Sequence, residues 1–238
     1  MKFNPLYFIY QWLIAMPLIV VVTALVAILT SILSPLFPNC DFSYWPARFW
    51  GRFICYVLFI RVKTVNMDQI DFSRSYVIAA NHQSIFDIFA IYGWLPNIFK
   101  WIMKAELRRI PLVGHACQSA GHIFIDRTHP IAARKSLEKA ENQLKNGVSV
   151  VIFPEGTRTK TGLMGKFKKG AFLIATDLHL PILPITIKGS YERVIKGSFN
   201  FRPGTIEMIF HQPVDVIEYL PDNSQGLIEH TRNIIAGN

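Results

Sequence analysis

From Phe3 to Cys40 the chain carries no Asp, Glu, Lys, Arg or His. A soluble domain rarely runs so far without a charge, so a membrane-associated helix is the leading expectation for this segment. As a helix, Leu6–Leu36 would be roughly 45 Å long against a hydrocarbon core of about 30 Å. Pro17 lies inside it and can kink it, and Pro35 and Pro38 close it. A cleaved signal peptide is the rival reading. It is disfavoured by the length of the apolar run, the single Lys2 in front of it and the lack of a small-x-small cleavage site. Between Tyr44 and Ile60, Trp45, Phe49, Trp50, Phe53, Tyr56 and Phe59 are interleaved with Arg48 and Arg52, a mixture suited to the headgroup zone. Arg48, Arg52, Arg61 and Lys63 all follow the apolar run, so the positive-inside rule leaves the rest of the chain on the cytoplasmic face, that of the inner membrane in a Gram-negative cell. The expected organisation is a membrane-associated helical segment over 1–60 and an α/β domain over 61–238. Spanning and re-entrant arrangements of the first segment are both open at this point.

The formal charge is +9, which calls for an anionic partner: nucleic acid, an anionic membrane or a phosphorylated substrate. The basic residues are scattered and form no zinc-finger, helix-turn-helix or RNA-binding signature, so lipid is favoured and nucleic acid is not expected as a partner. A basic solvated surface near anionic lipid accounts equally well for many of the Lys and Arg. Cys40, Cys55 and Cys117 are too few and too dispersed for a disulfide framework or a cysteine zinc site, and fit a reduced compartment.

Beyond the N-terminal segment, short β-branched runs alternate with helical patterns. Tyr76–Ala80, His122–Ile125, Val148–Phe153, Ile182–Ile187 and Gly204–Phe210 are expected strands. Helices are expected from about Ser84 to Tyr92, over Lys169–Leu178 and over Gln225–Ala236. A further one begins at Pro130, capped by Thr128 or His129, places Ala133, Leu137, Ala140 and Leu144 on one face and ends at Gly147. This alternation predicts an α/β fold: a mixed, largely parallel sheet flanked by helices, with the N-terminal hydrophobic helix as membrane anchor. Such sheets gather ligand groups at strand ends. Three of the expected strands run into polar clusters there: Asn81-His82, Asp126-Arg127 and Pro154-Glu155-Gly156-Thr157-Arg158.

His82 and Asp87 are five residues apart, about 140° apart on an ideal helix. They can meet only if His82 lies in the loop before the helix and Asp87 reaches back from its first turn. A carboxylate so placed fixes the imidazole tautomer and stabilises its charged form. Ser84-Ile-Phe-Asp87 also fits a capping box, in which Asp87 merely ends the helix. His82 has no partner at usual zinc-ligand spacing, and no metal is expected. There is no Gly-x-Ser-x-Gly elbow and no cysteine signature. A His-Asp pair without a protein nucleophile suits a base that activates a substrate hydroxyl directly. In the third cluster Gly156 lets the backbone approach a ligand, Thr157 can hydrogen-bond it, and Arg158 can grip a phosphate bidentately. An ordinary turn with an Arg–Glu surface pair is the plainer account. Arg127 and Lys104 taken singly are also surface ion-pair residues more often than ligands.

Asn81-His82-x4-Asp87, Gly121-His-Ile-Phe124-Ile125-Asp126-Arg127, Phe153-Pro154-Glu155-Gly156-Thr157-Arg158 and Leu180-Pro181-Ile182-Leu183-Pro184 follow one another in this order. The series resembles the four sequence blocks of the glycerophospholipid acyltransferase family, and within it the bacterial 1-acyl-sn-glycerol-3-phosphate acyltransferases. The resemblance covers roughly residues 60–215, and Thr159, where many relatives carry serine, is its one mild departure. It implies that His82 and Asp87 act on the acceptor hydroxyl. It implies too that Arg127, Glu155, Gly156, Thr157 and Arg158 hold the glycerol-phosphate with help from Lys104, and that the Pro181 block packs near the site wall. The implied reaction moves an acyl group from acyl-coenzyme A or acyl carrier protein to the sn-2 hydroxyl of lysophosphatidic acid at the membrane, giving phosphatidic acid, without a metal or redox cofactor. Acylation of another lysolipid or of glycerol-3-phosphate, hydrolysis of a lipid ester or thioester, and non-catalytic lipid binding are the alternatives.

Overall fold

The computed structural model describes residues 5–125, 144, 148–194, 197–220 and 223–237. The expected helix from Pro130 to Gly147 and the candidate ligand Arg127 lie outside them.

The uncharged run forms one helical stretch, α1 (Pro5–Leu36), the one helix among the described residues long and apolar enough to cross a membrane. It suggests membrane association. Its hydrogen-bonding widens to a π-turn over Gln11–Ala15, directly ahead of Pro17. Pro17 has no N–H to offer the carbonyl four residues back, and its ring crowds that carbonyl, so the mismatch is absorbed one turn upstream. Inside this turn Gln11 is fully buried, donating to Phe199 O at 2.6 Å and accepting from Phe201 N at 3.0 Å. The opposite side of α1 exposes Leu6, Leu13, Ile14, Val20, Val21, Leu25 and Ile32.

The next helix, α2 (Asp41–Val57), has two apolar faces. Phe42, Trp45, Phe49 and Tyr56 are exposed, whereas Tyr44, Ile54 and Cys55 enter the core of the globular part. It crosses α3 (Phe86–Trp94) at Gly51, where a β-carbon would stand 2.6 Å from the carbonyl oxygen of Phe89. Trp50 packs edge-on against Phe89 and donates its indole N–H to Thr23 of α1 at 2.9 Å, tying both N-terminal helices to the domain.

The remaining strands are β1 (Ile60–Val65), β2 (Val77–Ala80), β3 (Phe99–Lys104), β4 (Ile123–Ile125), β5 (Ser149–Ile152), β6 (Ile182–Lys188) and β7 (Gly204–Phe210). They form one sheet in the order β1-β7-β6-β2-β5-β3-β4. Every pairing is parallel except β6 with β7. This is the mixed, largely parallel sheet expected from the sequence. The two-residue period of β2 sorts its side chains: Ile78 and Ala80 face the cluster built with α2 and α3, while Val77 and Ala79 face α5 (Lys169–Asp177) and α6 (Ser224–Ala236). Both faces are covered, which is why these strands are apolar throughout rather than alternating. Pro184 is tolerated within β6 because its carbonyl accepts from His211 N, just beyond the last β7 ladder pair at Ile185. The missing N–H therefore costs no bond to β2. A short helix α4 (Val113–Ser119) lies between β3 and β4 and packs on α1.

Candidate active site

Strands β2 and β5 are parallel neighbours although some seventy positions separate them, with Val77 paired to Val150 and Ala79 to Ile152. Their carboxyl ends therefore bring Asn81–Ser84 and Phe153–Thr159 together. Asn81 locks the end of β2 onto β6, its amide donating to Ile187 O at 2.8 Å and accepting from Ile187 N at 2.7 Å. His82 follows, in the loop ahead of α3. Its backbone N–H donates to Glu155 Oε1 at 2.7 Å, and its carbonyl accepts from Thr159 N at 3.1 Å. The imidazole lies flat on Phe153, with centroids 3.8 Å apart and planes 8° from parallel; Phe153 is in turn stacked on Trp101. One face of the ring is thus sealed, and the side chain is only 12% exposed.

Asp87, in the first turn of α3, is fully buried. Its Oδ2 accepts from His82 Nδ1 at 2.9 Å, from Gln83 N at 2.7 Å and from Ser84 N at 2.8 Å. Because a carboxylate is the acceptor, Nδ1 carries the proton and Nε2 presents its lone pair. No hydrogen-bond partner for Nε2 occurs among the described residues. The two readings of Asp87 turn out to be compatible. Its bond to Ser84 N is the carboxylate half of a capping box, although Ser84 Oγ accepts from Phe86 N at 3.3 Å instead of from Asp87 N. The cap fixes the carboxylate, and the same oxygen orients the imidazole.

Glu155 is buried, and both carboxylate oxygens are engaged by backbone: Oε1 by His82 N and Oε2 by Gly165 N at 2.6 Å. Burial raises its carboxyl above the ordinary range, opposed by these two N–H bonds. The structure places it under the His82 backbone, which it holds through this bond. Gly156 closes the turn with a bond from its N–H to Phe153 O at 2.9 Å and adopts φ +73°, a conformation that favours glycine. Thr157 is exposed and Arg158 partly so, on the same loop. Gln83 ties down the far side of this loop through Gly162 O at 2.9 Å. Lys104 is exposed at the carboxyl end of β3, one strand beyond β5. Lys104 pairs with Ile125, the last residue of β4. The geometry thus gathers His82, Asp87, Glu155, Gly156, Thr157 and Arg158 at two adjacent strand ends, with Lys104 at the same end of the next strand.

Two contributors, Trp101 and Gly165, carry no sequence signal of their own. Asn81 and Phe153 stand in the motif blocks, but the pairing and stacking through which all four act become visible only once β2, β5 and β3 are neighbours. A second polar cluster also escapes the sequence: His122, buried, bonds Tyr92 OH through Nε2 at 2.7 Å and accepts from Trp101 N through Nδ1 at 3.3 Å. Burial, helped by the nearby Lys100 cation, pushes its imidazole down to about 3, so it is neutral. Lys100 itself is lowered to about 8 by burial and donates to Ala120 O at 2.7 Å, at the end of α4.

A histidine oriented by a buried carboxylate, at the carboxyl end of a largely parallel sheet, defines the class: an α/β fold with a His-Asp pair at its strand ends, an arrangement chemically able to accept a proton. The family model described as Acyltransferase matches residues 61–188, and the chain belongs to that family. It is similar to the chloroplastic 1-acyl-sn-glycerol-3-phosphate acyltransferase of Brassica napus, at 31% identity over 199 residues, 82% of this chain and 57% of that one. It is similar also to the human 1-acyl-sn-glycerol-3-phosphate acyltransferase alpha, at 34% over 181 residues, 76% of this chain and 64% of that one. The chain thus spans less than two thirds of the length of these curated relatives. Among solved structures it is similar to the 1-acyl-sn-glycerophosphate acyltransferase of Thermotoga maritima, with a TM-score of 0.76 and 29% identity, covering 98% of this chain and 92% of that one.

Proposed function

We propose that this protein transfers a fatty acyl group from a thioester donor, acyl-coenzyme A or acyl carrier protein, to the sn-2 hydroxyl of 1-acyl-glycerol-3-phosphate, giving phosphatidic acid. The observation that carries this reading is the His82 ring, held by Asp87 at Nδ1 and by Phe153 on one face, with Nε2 left as the proton acceptor. Nε2 takes the proton of the acceptor hydroxyl as its oxygen attacks the thioester carbon, and Asp87 stabilises the imidazolium. The tetrahedral intermediate then expels the thiolate, which takes that proton back from the imidazolium. Lys104, Arg127 and Arg158 neutralise the phosphate and orient the lipid, with Gly156 and Thr157 contributing backbone and hydroxyl contacts. Glu155 serves by holding the backbone of the base. The reaction as written calls for no metal or redox cofactor.

The exposed apolar side of α1 rests in the bilayer, and the cations that follow it keep the domain on the cytoplasmic face. The names of the similar proteins support both the reaction and the acceptor. The test is an assay of purified protein with labelled acyl-coenzyme A, alone and with a panel of lysolipids. Transfer to lysophosphatidic acid, with no thioester consumed in its absence, is the expected result. Acceptor-independent thioester cleavage would make it a hydrolase.

A further inference from the structure

Between Lys104, at the site end of β3, and the start of α4 the chain makes a short 3-10 helix over Ala105–Arg109 and a tight turn. Leu107, Ile110 and Leu112 project from this stretch and are 41%, 43% and 52% exposed. The turn is a γ-turn centred on Leu112: Val113 N donates to Pro111 O at 2.6 Å, and Leu112 has φ +59° and ψ −56°. That conformation is rare and strained for a residue with a β-carbon. Glycine would adopt it without strain, and a leucine that is 52% exposed returns only part of its burial to folding in compensation. The stretch is nevertheless held firmly. Gly114 sits so close beneath it that a β-carbon there would stand 2.3 Å from Arg108 O, and the Arg108 guanidinium lies 4.7 Å from the ring centre of buried Phe124. The segment is therefore a rigid, partly strained device that displays apolar side chains rather than a loose loop. Its charge is lopsided: Lys104, Arg108 and Arg109 stand against Glu106 alone. It also leads straight into α4, which packs on α1.

We propose that Lys104–Val113 is a second bilayer-contacting element, with Leu107, Ile110 and Leu112 seated among acyl chains and Arg108 and Arg109 on the phosphates of anionic phospholipid. The inference rests on the membrane reading given above and adds a function to it. α1 keeps the protein on the membrane; this element brings the lipid surface to the strand end where Lys104 and the catalytic loops lie, so that an acceptor can pass from bilayer to site without crossing water. Apolar contact alone would suit any membrane, whereas the flanking cations select an anionic surface.

The test uses the full chain reconstituted in vesicles of phosphatidylcholine with or without phosphatidylglycerol. In wild type, amide exchange over residues 105–114 is expected to slow on going from the neutral to the anionic vesicles. In the variant Leu107→Ser/Ile110→Ser/Leu112→Gly, kcat/KM for long-chain lysophosphatidic acid in anionic vesicles is expected to fall roughly tenfold or more. The rate on a short-chain, water-soluble acceptor and the melting temperature should stay level or rise, since the glycine relieves the strained turn. Equal loss on both acceptors would assign these residues to folding and overturn the proposal, as would amide exchange indifferent to lipid charge. An α1 deletion that impairs use of bilayer acceptor while the loop variant does not would leave the membrane reading standing and refute this extension of it. If wild type transfers to neither acceptor the proposed reaction fails, and the exchange measurement still decides the question of lipid contact.

Discussion

Replacing Asp87 by Asn separates the electrostatic role of this carboxylate from its geometric one. Three N–H donors converge on Oδ2: the ring of His82 and the backbones of Gln83 and Ser84, at 2.7–2.9 Å. An Asn side chain satisfies all three only by turning its carbonyl oxygen to that position, so the backbone donors enforce the same orientation and keep the His82 tautomer. What disappears is the negative charge facing the imidazolium as it forms. With charge centres about 4 Å apart and an effective dielectric near 20, that interaction is worth about 4 kcal/mol, or about 10³ in rate. The amide NH2 would meanwhile occupy the place of Oδ1, which is buried without a hydrogen-bond partner in the described structure. An unsatisfied donor there costs about 1–3 kcal/mol of stability. The expected outcome for Asp87→Asn is therefore a kcat loss of about 10³ with KM for the acceptor little changed and a modest drop in melting temperature. Steady-state kinetics with labelled acyl-coenzyme A and lysophosphatidic acid, paired with thermal melting, measure both. Near-wild-type turnover alongside lowered stability would show that Asp87 is a helix cap and nothing more, and the mechanism would be wrong.

Glu155→Gln leaves one acceptor for two backbone N–H groups, so it should lower kcat by about tenfold to a hundredfold through a displaced His82 while KM barely moves; a rise in KM with kcat intact would instead make Glu155 a substrate ligand. Arg158→Ala should reduce kcat/KM for lysophosphatidic acid at least tenfold and narrow its advantage over lysophosphatidylglycerol and lysophosphatidylcholine, because one charge-assisted phosphate contact is worth about 1.5–3 kcal/mol. Equal slowing of all three acceptors would confine Arg158 to docking on lipid. His122 is depressed to about 3 by burial, so the unfolded chain binds a proton between pH 6.5 and 3 that the folded chain excludes. Stability should consequently fall by up to about 1.4 kcal/mol for each pH unit below 6.5, and His122→Gln, which can keep both hydrogen bonds, should remove that part of the slope in denaturant titrations across this range.

The α/β architecture was legible because β2, β5 and β6 are short β-branched runs whose ends coincide with turn residues, and their burial on both faces leaves an unmistakable apolar signature. Two strands were not legible. In β1 the alternation of Arg61 and Lys63 with Ile60 and Val62 looks like a cationic flank of a membrane segment, and only pairing with β7 shows that it is a sheet edge. In β3, Lys100 interrupts the apolar run; it is accommodated because its ammonium reaches Ala120 O. The aromatic α2 posed a different problem. Side chains that face lipid and side chains that face a protein core are chemically alike, so Tyr44 and Trp50, which pack inward, could not be told from Trp45 and Phe49, which are exposed. In the site, spacing alone led to His82 ahead of a helix and Asp87 reaching back to it. It could not reveal that Glu155 turns inward, since a carboxylate among Gly, Thr and Arg in a strand-end loop has the composition of a ligand cluster.

The inward turn of Glu155 bears on how the four sequence blocks work together. His82 is held by carboxylates from two directions: Asp87, from its own loop and helix, at the ring, and Glu155, from the neighbouring strand, at the backbone. Neither alone fixes the position of Nε2. Asp87 sets the tautomer and the ring's azimuth, whereas Glu155, Thr159 and the flat contact with Phe153 fix the loop from which the ring hangs. Asn81 completes the frame by pairing with Ile187 on the other side, so His82 is referenced to β5 and β6 at once. In the mechanism proposed above, a histidine held in this way has little rotational freedom left to lose on reaching the transition state, which is the gain that orientation offers. A change in the Phe153–Thr159 loop should therefore move the His82 ring even where it touches no substrate.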